Sequence, residues 1–188
     1  VLKKTVVNFE PERNFLDRYP LGMIIITPQG YVTTLQPFID WKIQQGYSVT
    51  VATTEVIGFT TTAIKSYLQD IWDNANVQNP APSYLLLVGD TNQIPAWTGA
   101  TNSDHVTDLN YVRLMGTNYL PEMYYGRFSA TNTTQLQSIV NKTQQYEQYT
   151  MPDPTYLSHT VLIAGYDASY APSYGNGQIN YGKNNYFG

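Results

Sequence analysis

A few side chains in this 188-residue sequence can do chemistry, and the set is unusual for what it lacks. There is no cysteine, and the two histidines are His105 and His159. Thiolate metal sites, disulfides and a cysteine nucleophile are therefore absent from these residues. The carboxylates carry the remaining interest. Asp90, in Leu87-Val88-Gly89-Asp90-Thr91, follows an apolar run, where a carboxylate can ligate a metal or accept N–H bonds from the next loop. Asn118, Leu120 and Glu122 offer a side-chain oxygen, a backbone carbonyl and a carboxylate at alternating positions, the hard-oxygen set that calcium uses. The competing reading of that trio is a turn followed by a solvated glutamate. Asp167 ends another apolar run and precedes a polar, Gly-containing loop. Such an acid can orient a histidine by accepting its N–H, or it can cap the turn Asp167-Ala168-Ser169. His105 sits between acids in Ser103-Asp104-His105-Val106-Thr107-Asp108 with no nucleophile beside it, and both it and His159 read as loop or structural histidines.

Alternating elements must hold these groups. Met23 to Thr27, Tyr47 to Thr53, Tyr84 to Val88, Met123 to Arg127 and Val161 to Ala164 read as strands. Leu35, Phe38, Ile39 and Ile43 recur at helical spacing. So do Ile64, Tyr67, Leu68, Ile71 and Trp72, and then Leu136, Ile139, Val140, Thr143 and Tyr146. Thr91 to Asn118 reads as irregular, and the polar stretch after Asp167 ends as the start of a further helix. Apolar strands alternating with helices imply a three-layer α/β fold, a mostly parallel sheet covered on both faces. Right-handed crossovers put every strand's carboxyl end on one edge, the edge where open α/β sheets bind ligands, and Thr27, Asp90 and Asp167 fall there. The expected division is an arm or strand over 1–20, an α/β subdomain over 21–155, and the truncated start of a second subdomain over 156–188.

Composition narrows the partners. The net charge is −4, with ten basic residues scattered along the chain, which argues against nucleic acid or an anionic membrane surface. No run of aliphatic residues is longer than that of Met23 to Ile26, which is far too short to span a bilayer. Charged residues make up 13%, about half the usual share, while 17 tyrosines and many Thr, Asn and Gln cover the surface, as suits a secreted or cell-surface bacterial protein. The start, Val1-Leu2-Lys3-Lys4, has no initiating Met, consistent with an internal piece of a longer precursor.

The stretch from Leu35 to Tyr47 resembles the segment after the first strand of gingipain-type cysteine peptidases. So do Leu86 to Thr91, Val106 to Leu109, Leu120 to Tyr124, Arg127 to Ala130, Tyr146-Glu147 and Val161 to Gly165, in that order, with the lysine-specific branch the nearer. The resemblance implies a caspase-like, flavodoxin-like catalytic unit of two side-by-side subdomains, often stabilised by calcium and acting on peptide or protein substrates. It also implies that Asp167 orients a catalytic histidine, and that this histidine and the cysteine nucleophile lie beyond the chain, so the fragment alone would be inactive. The position matching the acid that selects arginine in one branch is Gln178, and the resemblance sets Gln178 and Asn180 at the substrate pocket. A neutral amide does not pair with a buried guanidinium, which weighs against strict arginine selection. For calcium, the implied ligands are Asp90, Asn118, Leu120 and Glu122, in a loop poorer in Asp than in relatives and one residue longer. No organic cofactor is implied. Two other classes stay open. One is a non-catalytic surface module for binding or assembly, with loops such as Tyr166 to Tyr181 as its contact surface; the other is a small-ligand domain, which requires a preformed pocket near Asp90.

Overall fold

The structure is a computed structural model that describes residues 21–99, 105–116, 118–163, 169 and 175–186. It forms two compact units that divide between Gln148 and Tyr149. The expected arm over 1–20 lies outside the described residues.

The first unit is built on a four-stranded sheet of β1 (Leu21–Thr27), β2 (Tyr47–Thr53), β3 (Tyr84–Val88) and β6 (Tyr124–Phe128), in the order β2-β1-β3-β6. All three pairings are parallel: Ile25 lies opposite Val51 and Leu86, and Leu86 opposite Gly126. The strands near the centre are apolar on both sides because both faces are covered. Ile24, Ile26, Leu85 and Leu87 point to one face, where α3 (Thr61–Asp73) and the short α4 (Leu109–Val112) pack with Ile64, Leu68, Tyr111 and Val112. Met23, Ile25, Leu86 and Val88 point to the other, under α1 (Val32–Gln44) and α5 (Thr133–Glu147), which contribute Leu35, Phe38, Leu136 and Val140. Full burial of such side chains stabilises the fold by roughly 1.5–3 kcal/mol each.

Local chemistry sets the boundaries. The Thr60 hydroxyl accepts the Ala63 N–H at 3.1 Å, and Asn132 Oδ1 accepts the Gln135 N–H at 3.0 Å, so α3 and α5 each start on a side-chain cap. Gly46, at φ 93°, turns the chain out of α1 directly into β2. A four-residue helix, α2 (Thr54–Ile57), follows β2. The stretch expected to be irregular holds a small hairpin, β4 (Trp97–Thr98) against β5 (Val106–Thr107), and then α4. Trp97 meets the Tyr111 ring edge-on at 4.6 Å, so an aromatic contact, not a long periodic pattern, orders this region.

The second unit contains a turn of 3₁₀ helix, Pro154–Ser158, and α6 (Asn176–Tyr186). Val161 to Ala164 was expected to be a strand. Residues 161–163 instead have no regular structure, with Val161 80% and Ile163 85% exposed; Ala164 is outside the described residues. A run of β-prone residues becomes a strand only against a partner, and among the described residues of the second unit there is no other strand to pair with it.

Candidate functional site

Among the described residues, the best-organised polar group at the carboxyl edge of the first sheet is built around the loop after β3. Gly89 has φ 134°, a conformation that L side chains rarely adopt, and a Cβ there would sit 2.7 Å from Gln93 Cβ. That turn brings the backbone N–H groups of Gly89 and Asp90 onto the carbonyls of Phe128 and Ala130 at the end of β6, at 2.9 and 3.1 Å. Asp90 Oδ1 then accepts from the Thr91 N–H at 2.8 Å and the Ser129 hydroxyl at 3.0 Å. These two bonds, with the nearby Arg127 charge adding to them, hold the Asp90 carboxyl below the usual carboxylate range. Asp90 is thus an ionised, ordered carboxylate at the edge where the sequence placed it.

Arg127 secures the loop from beneath. Its Nε and Nη2 donate to the two Asp108 oxygens at 2.9 and 2.7 Å, and its Nη1 donates to the carbonyls of Gly89 and Ile94 at 2.8 and 2.9 Å. Both charged side chains are largely buried, 13% and 17% exposed. Sequence reasoning missed this clamp. Its only signal was that Asp108 and Arg127 both lie in stretches that carry the family resemblance. Thr27, expected at the same edge, is fully buried and serves the core. Next to it, the Gln29 N–H donates to Glu55 Oε2 at 2.9 Å, joining the loops after β1 and β2.

The four calcium candidates do not come together. Asp90 bonds to Ala130, after β6, whereas Glu122 precedes β6 and donates its N–H to the Val112 carbonyl at 2.9 Å. At about 3.3 Å per residue the two carboxylates are on the order of 20 Å apart, against calcium–oxygen distances of about 2.3–2.6 Å. Within the remaining trio, Asn118 Oδ1 accepts the Leu120 N–H at 2.8 Å, and Glu122 Oε2 accepts the Leu114 N–H at 2.5 Å. The Asn118 carbonyl accepts from Arg113 Nε at 2.6 Å. Lys65, whose ammonium burial pushes below the usual lysine range while the Glu122 charge acts against that push, donates to the Arg113 carbonyl at 2.6 Å. Two cations beside a set already accepting N–H bonds do not fit a dication. Among the described residues, no group of three or more His, Cys, Asp or Glu side chains converges as a metal site.

The other candidates are placed as follows. Asp167 lies outside the described residues. Gln178 and Asn180 are both exposed on α6. Two positions apart on a helix is about 200° of rotation, so the two side chains leave different sides of it. His105 is an exposed loop residue whose carbonyl accepts the Gly99 N–H at 2.8 Å. His159 closes the 154–158 turn, with Nδ1 3.0 Å from the Thr155 carbonyl. Open clefts of about 450 and 430 Å³ lie at the amino edge of the sheet, one lined by Ser48, Thr50, Gln78 and Asn79 and the other by Glu122 and Tyr124; neither includes Asp90.

Comparison with known proteins adds what the edge geometry alone does not specify. Residues 17–186 match the sequence profile of Peptidase family C25. The chain is 35% identical over 170 residues to Lys-gingipain W83 of Porphyromonas gingivalis, covering 89% of this chain and 10% of that protein. It is 31% identical over 159 residues to gingipain R2 of the same species, covering 83% and 20%. A solved structure described as a protease superposes with a TM-score of 0.81 at 35% identity, over 91% of this chain and 38% of that one. The Arg-specific cysteine proteinase gingipain R superposes with a TM-score of 0.61 at 27% identity, over 69% and 29%. The chain therefore spans about a tenth of the length of the Lys-gingipain it matches. With the parallel α/β sheet, the profile match over 17–186 and these identities in agreement, the chain belongs to peptidase family C25, the gingipain-type cysteine peptidases.

Proposed function

We propose that this chain is the N-terminal part of the catalytic unit of a secreted or surface-held bacterial cysteine endopeptidase, acting on peptide or protein substrates. The observation that carries the reading is the family match over residues 17–186 in a chain that contains no cysteine. A cysteine peptidase needs a thiolate, so the nucleophile must come from polypeptide outside these residues.

In the proposed reaction that thiolate attacks the substrate carbonyl, and a histidine, also outside this chain, gives its proton to the departing amine. Water then cleaves the thioester. Asp167 accepts the imidazole N–H, selects the productive tautomer and stabilises the imidazolium. The first unit acts as the scaffold of the catalytic unit. Gln178 and Asn180 remain proposed neighbours of the substrate side chain, with a neutral amide at 178 weighing against strict arginine selection.

The test compares this chain with the complete protein on fluorogenic peptides. The complete protein cleaves them and loses activity on thiol alkylation, while residues 1–188 alone do not cleave. Cleavage by residues 1–188 that survives alkylation contradicts the proposal. An inactive complete protein whose downstream sequence has no Cys and His favours the surface-module reading.

A further inference from the structure

Strand β6 carries a glycine that nothing in the first unit requires. Gly126 sits in the middle of Tyr124–Phe128, its φ is not in the positive region, and a Cβ there would meet nothing within 4 Å. A glycine inside a strand weakens it and often marks the place where another backbone or a ligand comes close. The space it leaves is walled by aromatic pairs. Tyr124 stacks on Tyr84 with ring centroids 5.5 Å apart, and Phe128 meets Phe38 edge-on at 5.4 Å. Two residues before and two after the glycine, the same face of β6 therefore carries a ring. Leu86, opposite Gly126, and Lys42 and Glu147 from α1 and α5 complete the lining. Lys42 donates to both Glu147 oxygens at 2.8 Å, so the wall brings no unpaired charge. The slot holds about 240 Å³, less than the roughly 300–1,000 Å³ of a site for a drug-sized molecule. It suits one large apolar side chain rather than a cofactor.

The backbone beside the slot is open as well. β6 ends the sheet, and among the described residues no strand lies on its outer side. The Tyr124 N–H donates to the Ser83 carbonyl and the Phe128 carbonyl accepts the Gly89 N–H, both at 2.9 Å. Residues 124, 126 and 128 thus turn their main-chain groups toward β3, and by alternation the N–H and C=O of Tyr125 and Arg127 point outward. Natural sheets usually protect such an edge with Lys, Pro or a bulge. Here Tyr124 is 74% and Tyr125 41% exposed, and the Arg127 side chain is held by Asp108.

We infer that the outer edge of β6 binds an extended polypeptide by strand addition, with a large apolar side chain of that strand entering the slot over Gly126, and that the occupant is a segment of the protein substrate. An edge of alternating donors and acceptors pairs with an extended backbone, and the slot beside it selects a side chain. Tyrosines suit an edge that is wet when empty. A permanently covered seam is more apolar, whereas Tyr combines a ring for contact with a hydroxyl for water. The choice of substrate as occupant rests on the reading of this chain as part of an endopeptidase.

The test uses the complete protein, alkylated at its thiol so that nothing is cleaved, and a fluorescently labelled pentapeptide with a central phenylalanine flanked by threonines. Binding should saturate, and replacing the central phenylalanine by alanine should weaken it about tenfold. Gly126→Leu fills the slot and should weaken binding equally, with an unchanged or higher melting temperature. Tyr125→Pro removes an N–H that points away from the sheet, so it should keep the fold and abolish binding, while Tyr125→Val keeps the N–H and retains binding. In the active enzyme, Tyr125→Pro should raise KM for unfolded casein about tenfold over Tyr125→Val, with kcat within about twofold. No saturable binding to the wild-type protein overturns the inference. So does wild-type affinity in both Gly126→Leu and Tyr125→Pro, or the same KM in both Tyr125 variants. Protection of the Tyr125 and Arg127 amides from hydrogen exchange in the complete protein without peptide also overturns it, because the protein's own polypeptide or a second copy is then already in place. A complete protein that binds the peptide but cleaves nothing overturns the peptidase reading, and with it the substrate as occupant, while the strand-addition site stands.

Discussion

Arg127 grips Asp108 through two parallel bonds, Nε to Oδ2 at 2.9 Å and Nη2 to Oδ1 at 2.7 Å, and with its remaining nitrogen holds the carbonyls of Gly89 and Ile94. One side chain at the end of the edge strand β6 thereby ties the loop after β3 to the segment after β5. Lysine has no planar fork and does not reproduce this geometry. Arg127→Met should destabilise the protein by about 3–5 kcal/mol, because it leaves Asp108 buried without its partner and removes the donor to two carbonyls. Urea unfolding measures this. A loss below about 1 kcal/mol would mean that the clamp is not needed for the fold.

Gly89 and Gly30 make a matched pair of opposite expectations. Gly89→Ala forces a methyl to within 2.7 Å of Gln93 Cβ at a φ of 134°, so its unfolding midpoint should fall by more than the equivalent of about 1 kcal/mol. A Cβ at Gly30 meets nothing within 4 Å, and its φ is not in the positive region. Gly30→Ala should be neutral or mildly stabilising by the same measurement.

Asp90 links the loop to pH. Its carboxyl is held below its ordinary value of 3.8, first by the Thr91 N–H and then by the Ser129 hydroxyl. A depressed folded-state pKa contributes stability that is fully present above the unfolded value and is lost as pH falls through the folded one. Ser129→Ala removes one of those bonds and raises the folded pKa toward 3.8, so its stability loss should be fully present near neutrality, should shrink as pH falls through the folded pKa, and should move the acid-unfolding midpoint to higher pH. A midpoint unchanged between the two proteins would show that the Ser129 bond does not stabilise the charged form.

Much of the fold was legible because periodicity and burial agree. Tyr47 to Thr53 and Tyr84 to Val88 are apolar or β-branched runs bounded by Gly and Pro, and both form as read. Ile64 and Leu68 fall on the buried face of α3 as their spacing requires. Val161 to Ile163 has the same strand-like composition, yet it forms no ladder with any described strand, because composition marks β-propensity while pairing depends on topology. Helix α6 shows the reverse. Two glycines and four asparagines within Asn176–Tyr186 disfavour a helix intrinsically, and it nevertheless forms one over its full length.

The site was less legible, because side-chain bonds between distant segments leave no periodic mark. Arg127 and Asp108 are 19 residues apart and Lys42 and Glu147 are 105, and nothing in the local spacing of either pair signals the contact. The separation of the four proposed calcium ligands has a related reason. Asp90 and Glu122 both flank strands, but a parallel sheet sends residues before and after a strand to opposite edges, which alternating oxygens in the sequence do not reveal.

A calcium titration follows from that separation. Among the described residues no three His, Cys, Asp or Glu side chains converge, so Asp90→Asn and Glu122→Gln should leave any calcium-dependent rise in melting temperature of the complete protein unchanged. Loss of such a rise in either variant would place that residue in a calcium site.

The role of Asp167 in a cysteine peptidase is read from the kcat of the complete protein, with and without Asp167→Asn, on a fluorogenic peptide before and after thiol alkylation. Alkylation is expected to abolish turnover, and Asp167→Asn to lower kcat at least tenfold while the melting temperature stays within a few degrees. Activity insensitive to alkylation, or an Asp167→Asn variant with unchanged kcat, would contradict it.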